Sequence, residues 1–146
     1  MKRNIGRSMS ILHRQAQVFH THSLKSFGIS AGEYPFLLYL YTHDGCTQDD
    51  LVNALTIDKA ATARAIASLE EKGYVSRGKI DADKRCNHIK LSDKAKENEV
   101  EIRRRVYAWS EFLSEDIDPE TLKIVEDTLD KMVEKVEKRK KETEIE

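Results

Sequence analysis

Apolar residues at Ile5, Met9, Leu12, Ala16 and Phe19 recur at four-three spacing, which draws one stripe down a helix ending near Phe27 and Gly28. Ser30 then opens S-A-G-E, a capping box with Glu33 at the third helical position, ahead of the apolar segment YPFLLYLY. Pro35 falls in the second turn of that helix and would delete a backbone hydrogen bond, which moves the expected start toward Glu33. Asp44-Gly45 closes it. Thr47 and Asp50 form the next capping signal, before Leu51, Ala54 and Leu55. Asp58 caps a second short helix, KAATARAIASLEEK, which Gly73 ends where a left-handed residue is wanted.

Beyond Gly73 the period changes. YVSRGK, Tyr74 to Lys79, and the alternating run that follows DADKR predict a β-hairpin tipped by Asp81 to Arg85. Two short helices with a tight turn, followed at once by a hairpin, make a winged helix-turn-helix. Ser92 caps a longer helix carrying Ile102, Val106, Trp109 and Leu113, and Asp118-Pro119 opens the last one. That helix has a seam of Leu122, Val125, Leu129, Met132 and Val136 flanked by Glu, Lys and Asp, and its end, KRKKETEIE, is expected to fray.

The expected fold is mainly α with a small β-hairpin wing (α+β). Its parts are an N-terminal dimerisation helix in 1–29, a winged helix-turn-helix in 30–92, and C-terminal helices in 93–146 that complete the dimerisation domain. A small winged helix cannot bury the end seams alone. Ile5, Met9, Leu12, Phe19, Leu122, Val125, Leu129, Met132 and Val136 are therefore expected at a homodimer interface.

At 146 residues and 39% hydrophobic content the chain can build a core, and its 35% charged residues follow helical periods as solvated faces do. No apolar run reaches membrane-spanning length and MKRNIGRSMS lacks the apolar block of a signal, so a cytoplasmic protein is expected. Cys46 and Cys86 fit neither a disulfide framework nor a C-x-x-C pair and are read as free thiols. His20 and His22, two apart on a helix, point to different sides; neither a metal nor a cofactor is expected.

The formal net charge of -1 hides a polarity. Met1 to Phe27 holds five bases and no acid, 58–90 holds eight bases to five acids, and 111–146 holds thirteen acids to seven bases. An acidic tail can thus offset a basic working surface. On a helical wheel Thr62, Ile66 and Leu69 point inward, leaving Ala60, Ala63, Arg64, Ala67 and Ser68 outward. Alanine is the best helix former, which alone would explain it. Beside a cap, a turn and a wing, however, short side chains around one arginine suit a major groove, where alanine touches a thymine methyl and arginine donates twice to guanine. A narrow basic hairpin suits the neighbouring minor groove. There Asp83 either orients Arg85 or forms with it a surface ion pair of little worth.

The wing stands as Asp83-Lys84-Arg85, C-N-H-I-K, Leu91-Ser92, and with T-Q-D-D-L and D-K-A-A-T-A-R-A-I-A-S-L-E-E-K-G-Y-V it resembles the MarR family of bacterial winged-helix regulators. The resemblance implies a homodimer on a pseudo-palindromic operator in double-stranded DNA, usually a repressor released by a small effector. It implies that Lys59 to Ser68 enter the major groove and that Arg85 enters the minor groove. The DNA-contacting set is Thr47, Gln48, Lys59, Ala60, Ala61, Ala63, Arg64, Ala67, Ser68, Arg77, Lys79, Asp83, Lys84 and Arg85. Ala60, Ala61 and Ala63 stand where family members often carry Ser or Thr, which shifts base reading toward Arg64, methyl contacts and DNA shape. The first helix lacks the cysteine of the family's peroxide-sensing members. Phe19, Tyr39, Arg105 and Trp109 are the candidates for a pocket taking a small anionic or aromatic effector.

An enzyme is disfavoured: there is no Gly-rich phosphate loop, nucleophile motif or acid-base constellation, and no catalytic residue is assigned. The remaining alternative is a helical dimer acting through protein-protein interaction, with the wing as contact surface. Salt separates the two, because phosphate binding weakens steeply with salt and an apolar protein interface does so less.

Overall fold

The computed structural model describes residues 2–80 and 83–145, with the side chains of residues 80, 83–86, 144 and 145 outside that description. The elements run α1 (Ile5–Ser23), a 3-10 turn (Lys25–Phe27), α2 (Tyr34–Thr42), α3 (Gln48–Leu55), α4 (Lys59–Glu71), β1 (Val75–Ile80), β2 (Asp83–Leu91), α5 (Asp93–Glu97), α6 (Glu99–Ser114) and α7 (Pro119–Ile145). Packing divides the chain into two compact units, Met1–Trp109 and Ser110–Glu146. Among the described residues no helix is long and apolar enough to cross a membrane.

The element boundaries follow local chemistry. Asn4 caps α1 by accepting from the Gly6 amide, and Gly28, at φ 70°, turns the chain after the 3-10 segment. The capping-box expectation at Ser30 holds in part. The Ser30 amide donates to Glu33 Oε1 at 2.8 Å, but around a turn that precedes α2. Pro35 thereby falls in the first helical turn, where its missing N–H deprives no carbonyl of a partner.

The core of the first unit lies under α2, α3 and α4. Leu37, Leu40, Leu51, Ile66, Leu69 and Ile89 are fully buried, with Leu24, Phe36, Tyr74 and Ile102 packed among them. Ala54, expected with Leu51 and Leu55 on the apolar face of α3, is exposed. A helix this short buries only a narrow arc, which Leu51 fills.

Two further departures concern the ends of elements. The helix expected from Ser92 breaks at Asn98 into α5 and α6. Asn98 Nδ2 donates to the Lys94 carbonyl at 2.8 Å, alongside the Asn98 amide, which bonds the same carbonyl at 3.3 Å. The hairpin is longer than expected, since β2 begins at Asp83 and the backbone of Asp83 to Arg85 lies in a strand instead of at a tip. The ladder recovers after an irregularity between Gly78 and Ile80, and this extends the pairing to Ile80 and Asp83.

In the second unit, Asp118 caps α7 by accepting from the Thr121 amide at 3.0 Å. Of its seam, Val125, Leu129 and Val136 are exposed at 41%, 44% and 61%, while Leu122 and Met132 are half-buried. In α1, Ile5, Met9 and Leu12 are exposed at 56%, 40% and 47%. Apolar stripes of this length, open on a single chain, are the feature that a partner surface covers.

Candidate nucleic-acid interface

Helices α3 and α4 form the helix-turn-helix. Thr47 Oγ1 accepts from the Asp50 amide at 3.1 Å and Asp50 Oδ2 from the Thr47 amide at 2.9 Å, a complete capping box. Thr56, with φ 54°, makes the turn, and Asp58 Oδ1 accepts from the Ala61 amide at 2.7 Å to start α4. Thr62, Ile66 and Leu69 are fully buried, and their anchoring fixes which face of α4 remains outside. That face carries exposed Lys59, Ala60, Arg64 and Ala67, with Ala61, Ala63 and Ser68 half-buried at its edges. Among the described residues no carboxylate pairs with Arg64, so its guanidinium is available to a ligand.

The C-terminal end of α4 is tied down from two sides. Lys72 Nζ lies 2.7 Å from Glu33 Oε1, and Lys94 Nζ donates to the Lys72 carbonyl at 2.8 Å. Glu33 is nearly buried. Burial pushes its carboxyl up, but the Lys72 ammonium, helped by Ser68 and Ser30, outweighs burial and brings it below the ordinary value. Gly73, at φ 84°, then turns the chain, and its carbonyl accepts from Ser92 Oγ at 2.6 Å. Helix end and wing base are therefore one braced unit.

The wing is an antiparallel pair in which Val75 faces Leu91, Arg77 faces Ile89 and Gly78 faces His88. Its root is fixed to the segment before α3. The Ile89 amide donates to the Cys46 carbonyl at 2.8 Å, the Gly45 amide to the Ile89 carbonyl at 2.9 Å, and His88 Nδ1 contacts the Gly45 carbonyl at 2.7 Å. Arg77 reaches back to Glu70 on α4 at 3.4 Å, a weak and exposed pair.

Thr47, Gln48 and Arg77 line one groove together with Asp49, Asn87 and Ile89, so three of the expected DNA-contacting residues come together between α3 and the wing. Ala61, Arg64 and Ser68 share a second groove with Glu33 and Lys72. Lys79 is exposed on β1. Asp83, Lys84 and Arg85 stand in β2, but their side chains, and with them the expected Asp83–Arg85 pairing, lie outside the described residues. So does the side chain of Cys86.

The four residues expected around an effector do not share one set of partners. Phe19 and Trp109 meet with ring centroids 5.3 Å apart. Arg105 instead bonds Glu101 at 2.9 Å and the Ser23 carbonyl at 2.8 Å, and covers the Phe27 ring. Tyr39 stacks on His43 at 4.0 Å. Beside Phe19, His20 is nearly fully buried against Tyr34, and burial lowers its pKa. Among the described residues there is no group of three or more His, Cys, Asp or Glu placed to hold a metal.

Sequence reasoning did not single out Lys72, Asn87 or His20 for a site. Asn87 had a signal, since the alternation in C-N-H-I-K puts it on the same strand face as Ile89. The Lys72–Glu33 contact spans 39 positions and had none.

The MarR family model matches residues 27–85, the stretch from the turn before α2 into the wing. A MarR transcriptional regulator from Methanosarcina mazei Go1 is 34% identical, with a TM-score of 0.83 over 92% of this chain and 96% of that one. The chain belongs to the MarR family of DNA-binding transcriptional regulators. Its MarR membership places it among regulators and not enzymes, as the sequence reading expected. The HTH-type transcriptional regulator BilQ of Clostridioides difficile is 25% identical over 105 residues, 72% of this chain and 71% of its own. A MarR family regulator from Listeria monocytogenes, solved in complex with 26mer DNA, shares the MarR fold at 20% identity, with a TM-score of 0.87 over 95% of this chain and 92% of that one.

Proposed function

We propose that the chain is a cytoplasmic homodimeric repressor that binds a pseudo-palindromic operator and is released by a small effector. Residues 30–92 read DNA, while 1–29 and 93–146 form the dimer. Two copies of α4 enter successive major grooves on the order of 34 Å apart, one turn of DNA. The carrying observation is the outer face of α4, where exposed Ala60 and Ala67 flank an Arg64 that no carboxylate holds among the described residues. Short side chains allow the backbone to approach a groove, and the free guanidinium can donate to guanine. A Listeria monocytogenes relative of the same fold, solved with 26mer DNA, supports DNA as the partner of this chain. The open seams on α1 and α7 support the dimer. In this reading Lys59, Thr47, Gln48, Arg77 and Lys79 contact phosphates, and Lys84 and Arg85 serve the minor groove.

The test is selection of fragmented genomic DNA from the source organism at two salt concentrations, with Arg85→Ala alongside. Recovery of near-palindromic fragments, weakened by salt and by loss of Arg85, is the expected result. A folded wild-type dimer that recovers no fragment selectively at either salt concentration would overturn the operator assignment and favour the wing as a protein-binding surface.

A further inference from the structure

Helix α1 carries charge of one sign. From Met1 to Gly32 the chain has no acid. Arg7, Ser10, Arg14, Gln17 and Thr21 recur at three-four spacing along one face of α1, and Lys25 follows in the 3-10 turn. Arg7, Ser10, Arg14, Thr21 and Lys25 are exposed and Gln17 is half-buried. The seam of Ile5, Met9, Leu12 and Ala16 lies on the opposite side of the helix, so a partner copy seated on that seam leaves the basic face open. Among the described residues no carboxylate pairs with Arg7, Arg14 or Lys25, and Arg14 donates to Ser10 Oγ on the same face.

Neither helix stability nor solubility accounts for this face. The first turn of α1 holds no acid and includes Arg7, the sign of charge that a helix N-terminus disfavours. A solubilising surface mixes signs, as α6 does where Arg103 meets Glu99 at 2.9 Å and α7 does where Lys123 meets Asp127 at 3.0 Å. Unpaired cations interleaved with hydroxyl and amide groups suit a polyanion, and these are the side chains that bind phosphate oxygens of DNA. The acidic α7 of another copy fits less well, because Lys123, Lys131, Lys135 and Lys138 interrupt its acids. Helix α1 is about 28 Å long, close to one turn of duplex. Its C-terminal end abuts the base of the wing, where the Tyr74 hydroxyl donates to the Phe27 carbonyl, two residues past Lys25.

We propose that the outer face of α1 is a second DNA-binding surface, which takes the phosphate backbone of the duplex beyond the half-sites and reads no base. Arg7, Arg14 and Lys25 supply the charge, and Ser10, Gln17 and Thr21 supply hydrogen bonds. The inference rests on the operator reading above for where the half-sites lie. It adds affinity and salt dependence without adding sequence preference.

The experiment compares wild type, the triple variant Arg7→Gln, Arg14→Gln, Lys25→Gln, and the charge-keeping pair Arg7→Lys, Arg14→Lys. The DNAs are the selected operator ending at its half-sites, the same operator extended by about one helical turn on each side, and a scrambled duplex of the longer length. Circular dichroism and sedimentation check fold and dimer. On the short operator the triple variant should match wild type. On the extended one its plot of log affinity against log salt should be shallower by about 2.7, roughly 0.9 for each phosphate contact given up, and the charge-keeping variant should follow wild type. If the triple variant does not fold, the three single Gln variants decide, each shallower by about 0.9. Equal slopes for wild type and triple variant on the extended operator, or equal loss on the short and extended ones, overturn the inference and leave the operator reading standing. If no operator is selected, the scrambled duplex decides. A shallower slope for the triple variant there supports α1 as a phosphate-binding surface without the operator reading, and equal slopes remove both.

Discussion

Lys72 Nζ lies 2.7 Å from Glu33 Oε1, so the C-terminal end of α4 is tied to the turn that leads into α2. The pair joins a nearly buried carboxylate to a partly exposed ammonium. Because the Glu33 carboxyl is brought below its ordinary 4.5, its contribution to stability is complete above that value and is lost as pH falls through the folded-state value. Glu33→Gln should cost about 1–3 kcal/mol at neutral pH, the range for breaking a buried charged hydrogen bond. It should also flatten the acid limb of the stability curve below pH 4.5. Urea unfolding at neutral and acid pH checks both, and identical curves for the two proteins would deny the tie an energetic role.

Arg64 is the one cation of the outer α4 face flanked by alanines on both sides, Ala63 and Ala65. Arg64→Ala should weaken operator binding by about 1–3 kcal/mol and relax base preference at one position of each half-site. Titration against a set of single-base operator variants measures it. Uniform weakening on every variant would reassign Arg64 to phosphate contact.

Leu129 lies in the middle of the α7 seam and is 44% exposed on the single chain. A charge there, in Leu129→Glu, should shift the protein to monomer in sedimentation equilibrium and leave its helical content intact. Burying an unpaired carboxylate in an apolar interface is strongly unfavourable. A variant that remains dimeric would move the interface away from this seam.

Cys46 has its thiol pushed up to about 11, first by burial and then by the neighbouring Asp50 and Asp44. The thiolate is the reactive form, so at neutral pH Cys46 should alkylate far more slowly than a free thiol. Mass spectrometry of a Cys86→Ser variant after brief iodoacetamide treatment reads this directly. Rapid labelling would show the thiol to be reactive and contradict its burial.

Much of the site was legible because its signals are local. The caps at Thr47, Asp58, Ser92 and Asp118 each act within three residues, and each forms the bond expected of it. The buried triplet Thr62, Ile66 and Leu69 followed from the helical period alone, and it leaves Arg64 outward without further information. The wing pattern D-K-R to L-S carried the family resemblance for the same reason, as a short pattern at fixed spacing.

What eluded the period depended on partners distant in sequence. The run from Ser92 reads as one helix, because nothing near Asn98 announces that Tyr41, 54 residues before Ala95, will take the Ala95 carbonyl. Arg105 reads as a free cation for an effector until Glu101 and the Ser23 carbonyl, 82 positions away, occupy it. Ala54 reads as core until the width of the face that α3 buries is known.

The amino-acid order by itself therefore determined the elements, the inward face of α4 and the family, since caps, turns and hydrophobic periods act over a few residues. The tertiary structure alone decided the break at Asn98, the bracing of α4 by Glu33 and the fate of Arg105. Each of these is a hydrogen bond whose partners are brought together only by the packed core.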